Sequence, residues 1–171
     1  DLLRKSLSLT EEMRLEHLNA MFYSDDFKPI VRTGPIIPLV KEALFSGTQG
    51  RAACKIEGDE KIEVSADLDM IKTIFANLAS NSLEQSRTGD LWIEVIISLD
   101  GKKVKVVYSD NGPGIPKEKQ EKLFCSDGPV KMSDMVLPTT ALMLKVNGGS
   151  IIIDQSYTGS GSRFLIDIPR A

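Results

Sequence analysis

A single carboxylate followed by two glycines at alternate positions, Asp110-Asn111-Gly112-Pro113-Gly114, is the part of this chain best equipped to hold a ligand. The carboxylate is a hydrogen-bond acceptor, and each glycine removes the Cβ that would keep another group away from the backbone. Together they suit a purine base with an exocyclic amine. The competing reading is a plain turn, because Asn-Gly and Pro-Gly both mark turns after strands. Asn77 and Asn81 form a second group, one helical turn apart. Their amide oxygens are hard ligands of the kind hydrated Mg²⁺ accepts. The competing reading there is a solvated helix flank. His17 could be a phospho-acceptor. Leu18-Asn19-Ala20 offers it no acidic neighbour to act as base, so a packing or solvent-side role is favoured. Cys54 and Cys125 have no metal-ligand spacing, and a lone histidine excludes multi-histidine metal chemistry.

These groups need scaffolding, and the local pattern supplies it. Val104 to Tyr108 alternates apolar and polar, so Asp110 should sit at a strand's end. Residues 91–98 and 102–108 read as a hairpin across Leu99-Asp100-Gly101. Asp67 to Gln85 has the strongest helical pattern, with Asp67 as cap. Leu68, Ile71, Ile74, Phe75, Leu78, Ala79 and Ser82 share its apolar face. At 100° per residue, Asn77, Asn81 and Glu84 lie at about 0°, 40° and −20°, a polar ridge roughly 120° from the centre of that face. Further helices are expected at 38–45, 117–124 and 138–146. Strands are expected at 52–56, 62–64, 150–155 and 163–168, with an edge strand over 27–32. Asp1 to Phe22 is also helical in pattern, and 23–38 is a connector rich in proline.

The chain has 171 residues, 42% apolar and 26% charged, with net charge −3. That is enough for one domain with a real core. There is no basic block to hold nucleic acid. No apolar run reaches the ~20 residues that a membrane helix needs, so direct membrane contact by this segment is not expected. Two cysteines without framework spacing fit a reducing, cytoplasmic setting. The first residue is Asp1, in mid-pattern, so a fragment of a longer chain is expected.

Asn77-x-x-x-Asn81 and Asp110-x-Gly112-x-Gly114 stand in order with three more motifs. These are Leu123-Phe124, Gly148-Gly149-x-Ile151, and Gly159-x-Gly161-Ser162-x-Phe164 ending in Ile168-Pro169. The series resembles the ATP-binding catalytic domain of sensor histidine kinases, in the superfamily shared with gyrase, Hsp90 and MutL. It covers about Val31 to Arg170. The resemblance implies an α/β (α+β) two-layer sandwich, in which a mixed sheet carries three helices on one face. The nucleotide would lie between the helices and a lid. It implies residues 1–22 as the end of a dimerisation helix, 23–30 as linker and 31–171 as catalytic domain.

Carried over by motif, Asn81 would ligate Mg²⁺, and Asn77 would act catalytically by placing metal-bound water and phosphates. Asp110 would accept from the adenine amine, with Ser162 supporting a bridging water. Gly112 and Gly114 would let base and lid hinge pack closely, and Phe124 would brace the lid. The partners implied are a response regulator and a second copy, joined through upstream dimerisation helices that carry the phospho-accepting histidine.

The phosphate end departs from the family's pattern. Met132, Asp134 and Val136 stand where a second glycine box is expected, and only Leu137 is kept. Side chains there obstruct the backbone N–H groups that cradle phosphate. Asp134 adds a like charge costing on the order of 1 kcal/mol or more at close range. Two outcomes therefore follow from the sequence. One is a kinase domain using ATP and Mg²⁺. The other is a degenerate, non-catalytic domain that keeps the fold and serves as a docking or regulatory module.

Overall fold

The computed structural model describes residues 28–86, 90–121, 123–124 and 136–171. The expected dimerisation helix with His17 lies outside the described residues, as do Met132 and Asp134. The five-stranded sheet is built from β2 (Ala53–Glu57), β4 (Trp92–Asp100), β5 (Lys103–Asp110), β6 (Ser150–Ile153) and β7 (Arg163–Pro169). Their order is β2-β4-β5-β7-β6. β2 runs parallel to β4, and the other pairs are antiparallel, so the sheet is mixed as expected. The strands at 52–56 and 62–64 belong to different sheets. β3 (Glu63–Ala66) instead pairs with β1 (Arg32–Pro35) in a two-stranded ribbon. The expected edge strand at 27–32 thus lies later, at Arg32–Pro35.

Alternation along each strand places one set of side chains under the helices. Ile93, Val95, Ile97, Val104, Val106, Tyr108, Phe164, Ile166 and Ile168 are buried on that face. Helix α1 (Ile36–Thr48), helix α2 (Leu68–Gln85) and helix α4 (Val136–Val146) cover it, and α2 packs against both of the others. This is the two-layer sandwich with three helices on one face.

Three helices differ in extent from the expected ones. The expected helix at 38–45 is α1, which begins two residues earlier and continues through Gly47. Pro38 falls in its first turn, where a missing N–H costs little. Gly47 lets the helix pass tightly over α2: a Cβ there would collide with the Ala76 carbonyl and approach Ala79 Cβ to 2.8 Å. Helix α3 is only Lys117–Gln120, four residues rather than the eight expected at 117–124. Helix α4 includes Val136 and Leu137 ahead of Pro138, where the start was expected.

The ends of α2 and α4 are tied together. Asp67 caps α2 by accepting from Met70 N (3.2 Å) and also accepts from Ile30 N (2.9 Å). Asn147, just after α4, accepts from Asp67 N (2.7 Å) and donates to the Met143 carbonyl (2.8 Å). The start of α2 is thereby pinned to the end of α4.

Candidate functional site

Asp110 is the last residue of β5, and alternation turns its side chain to the helix face, where it is 5% exposed. A carboxylate so buried needs donors. Three reach it. Gly112 N donates to Oδ1 at 2.8 Å, the local turn that a short acidic side chain makes with the backbone two residues on. Ser162 N donates to Oδ1 at 3.3 Å, and Ser82 Oγ donates to Oδ2 at 2.9 Å. Asp110 N in turn donates to the Ser162 carbonyl at 3.0 Å.

Glycine is required where the two loops cross. Gly161 has φ +86°, and a Cβ on it would run into the Asp110 carbonyl. Gly114 has φ +75°, and a Cβ on it would stand 3.0 Å from the Gly161 carbonyl. The motif glycines thus let the β5 end and the approach to β7 touch backbone to backbone. Asn111 braces the same turn, accepting from Trp92 N (2.7 Å) and donating to the Asp90 carbonyl (3.0 Å).

Helix α2 meets this acid directly. Ser82 is 3% exposed and bridges Asp110 to the Tyr108 hydroxyl, 3.0 Å away. Burial pushes the Tyr108 phenol far above its usual pKa, and the nearby Asp110 charge adds to the rise. Tyr108 is therefore a neutral hydroxyl. Asn81 is the residue before Ser82, and Asn77 lies one turn earlier. Both are half-buried. Among the described residues neither side chain has a hydrogen-bond partner.

Two half-buried amides without partners among the described residues, on the helix whose Ser82 bonds the buried acid, fit a ligand that brings its own polar atoms. Among the described residues no group of three or more His, Cys, Asp or Glu could hold a metal. A divalent ion here would therefore rely on Asn81, water and ligand oxygens, as Mg²⁺ characteristically does.

The structure brings Asp110, Gly112 and Ser162 together by hydrogen bonds, and Gly114 joins them through Gly161. Phe124 is set back from them, edge-on to Phe164 with ring centroids 6.4 Å apart. Phe164 in turn lies 6.3 Å from the Tyr108 ring. A cavity of about 540 Å³ opens at the sheet end, lined by Gln85, Gly114, Ile115, Gly161 and Ser162 among others. Asn77, Asn81, Asp110, Gly112 and Phe124 do not line it. Ser82 and Tyr108 are the site residues that sequence reasoning missed. The available signal was a hydroxyl at position 82 in an otherwise apolar stripe, because buried polar groups find partners.

Comparison with known proteins adds the following. Residues 66–171 match the family described as histidine kinase-, DNA gyrase B-, and HSP90-like ATPase. The adaptive-response sensory kinase SasA of Crocosphaera subtropica is 31% identical over 114 residues, covering 62% of this chain and 29% of that protein. The sensor histidine kinase YclK of Bacillus subtilis is 25% identical over 145 residues, covering 78% of this chain and 30% of that protein. The chain thus spans about three-tenths of the curated relatives it matches. The catalytic domain of histidine kinase ThkA superposes with a TM-score of 0.69 at 24% identity, covering 82% of this chain and 95% of that one.

Proposed function

This chain belongs to the histidine kinase-, DNA gyrase B-, and HSP90-like ATPase family, and from that premise we propose that it is the ATP-binding catalytic domain of a two-component sensor histidine kinase. The observation that carries this reading is the buried Asp110, held by Gly112, by Ser162 and by Ser82 of helix α2, the helix that also carries Asn77 and Asn81. Asp110 accepts the exocyclic amine of adenine. Asn81 would hold Mg²⁺ through its side-chain oxygen, and Asn77 would help place the metal's water and the phosphates. Mg²⁺ when bound offsets the triphosphate charge. The chain's own part is to fix the base, exclude water from its edge and aim the γ-phosphoryl group outward, so catalysis rests on positioning.

The acceptor is a histidine on an upstream dimerisation helix that is not part of this sequence, brought near by a second copy of the chain. The phosphoryl group then passes to a response regulator in the cytoplasm. Phe124, packed on Phe164, is the residue that would brace the lid the resemblance implies. Among the described residues no helix is long and apolar enough to cross a membrane.

A second reading is favoured by Met132, Asp134 and Val136. It is a non-catalytic domain that binds nucleotide weakly or not at all and acts as a docking or regulatory module. Thermal unfolding with ATP, with and without Mg²⁺, separates the two. A ligand at a hundredfold excess over Kd stabilises the fold by about 2.7 kcal/mol. The kinase reading predicts a rise in melting temperature that grows with Mg²⁺, and predicts that Asn81→Ala removes the Mg²⁺ increment. A wild-type response indifferent to Mg²⁺ supports the second reading.

A further inference from the structure

We infer that Tyr108 and Ser82 are positioning residues that leave Asp110 with one open acceptor position, and that the preference for a 6-amino purine depends on Ser82 as well as on Asp110. The inference rests on the nucleotide reading above and deepens it.

The count of donors carries it. An ionised carboxylate offers about four acceptor positions. Two on Oδ1 are taken by Gly112 N (2.8 Å) and Ser162 N (3.3 Å). One on Oδ2 is taken by Ser82 Oγ (2.9 Å). Among the described residues no donor takes the fourth, on Oδ2. The direction of the chain is also fixed. Ser82 has a single proton and gives it to Asp110, so the contact between Tyr108 and Ser82 is a donation from the phenol. All three residues are at most 5% exposed. The carboxylate is thus held at both oxygens, by backbone on one side and by helix α2 on the other. Its plane cannot turn, and the remaining lone pair has one direction. Without the Ser82 hydroxyl, Oδ2 loses the one anchor it has among the described residues, and the carboxylate pivots about Oδ1.

The test compares ATP with the purine ribonucleoside triphosphate that lacks the 6-amine, by calorimetry on the whole chain. The wild type should prefer ATP by about tenfold, the worth of one hydrogen bond. Ser82→Ala should raise the Kd for ATP to that of the analogue and leave the analogue's Kd unchanged. A merely structural loss would weaken both ligands alike. Tyr108→Phe, which keeps the Ser82 proton on Asp110, should fall between wild type and Ser82→Ala; it also serves if Ser82→Ala does not fold. A preference for ATP that survives both substitutions overturns the inference and leaves the nucleotide reading standing. A wild type that binds neither nucleotide overturns both.

Discussion

At the scale of single residues, the hydrogen bonds of Asp110 explain why a charged side chain sits at the end of a core strand. Gly112 could be anticipated because it lies two residues on in the same motif, and Ser162, 52 positions away, because the resemblance assigned its motif to the same site. Ser82 and Tyr108 could not be paired from sequence, since they lie 26 positions apart on a helix and a strand that meet only in the folded chain. Tyr108 carries a pH signature. Its folded pKa is raised by burial, so the stability it contributes is complete below the ordinary phenol value of about 10 and is lost as the pH climbs above it. Tyr108→Phe removes one hydrogen bond, at a cost of about 1 kcal/mol near neutrality. Denaturant unfolding should show that gap closing as the pH passes the phenol value. A gap that stays constant would mean that Tyr108 ionises as freely in the folded chain as in the unfolded one.

At the scale of elements, the alternating β4 and β5 and the capped α2 were legible because each obeys one period. β5 puts Val104, Val106, Tyr108 and Asp110 on a single face, and α2 puts Ile71, Ile74, Phe75 and Leu78 on one stripe. Boundaries were less legible. Helix α1 continues through Gly47 because its neighbour α2 needs a residue without a side chain there, a demand made by packing and invisible to propensity. The ribbon of β1 and β3 was not legible for a similar reason: the partner of β3 comes from before α1, with that helix and β2 between them in the chain. Gly47→Ala tests the packing explanation. Forcing a methyl against Ala76 and Ala79 should cost roughly 1–3 kcal/mol in denaturant unfolding. Unchanged stability, or a gain from the better helix former, would contradict it.

At the scale of the whole molecule, the fold puts two separately read groups on one side of the sheet. The end of β5 supplies the acid, the last turns of α2 supply the amides, and Ser82 bonds the one to the other at 2.9 Å. The tie between Asp67 and Asn147 holds the far end of α2 against α4, so the amides are presented by a helix fixed at both ends. The resemblance implied that the end expected to hold the base keeps its motif and that the end expected to hold phosphate departs from it. Of the residues that carry that departure, Met132 and Asp134 lie outside the described residues and Val136 opens helix α4. Calorimetric titration of the chain with a non-hydrolysable ATP analogue and Mg²⁺, set against Asp110→Asn, bears most directly on whether acid and amides form one nucleotide cleft. A submillimolar Kd in the wild type that is lost in Asp110→Asn is the predicted result; no heat at millimolar nucleotide, or equal binding by both proteins, would contradict it.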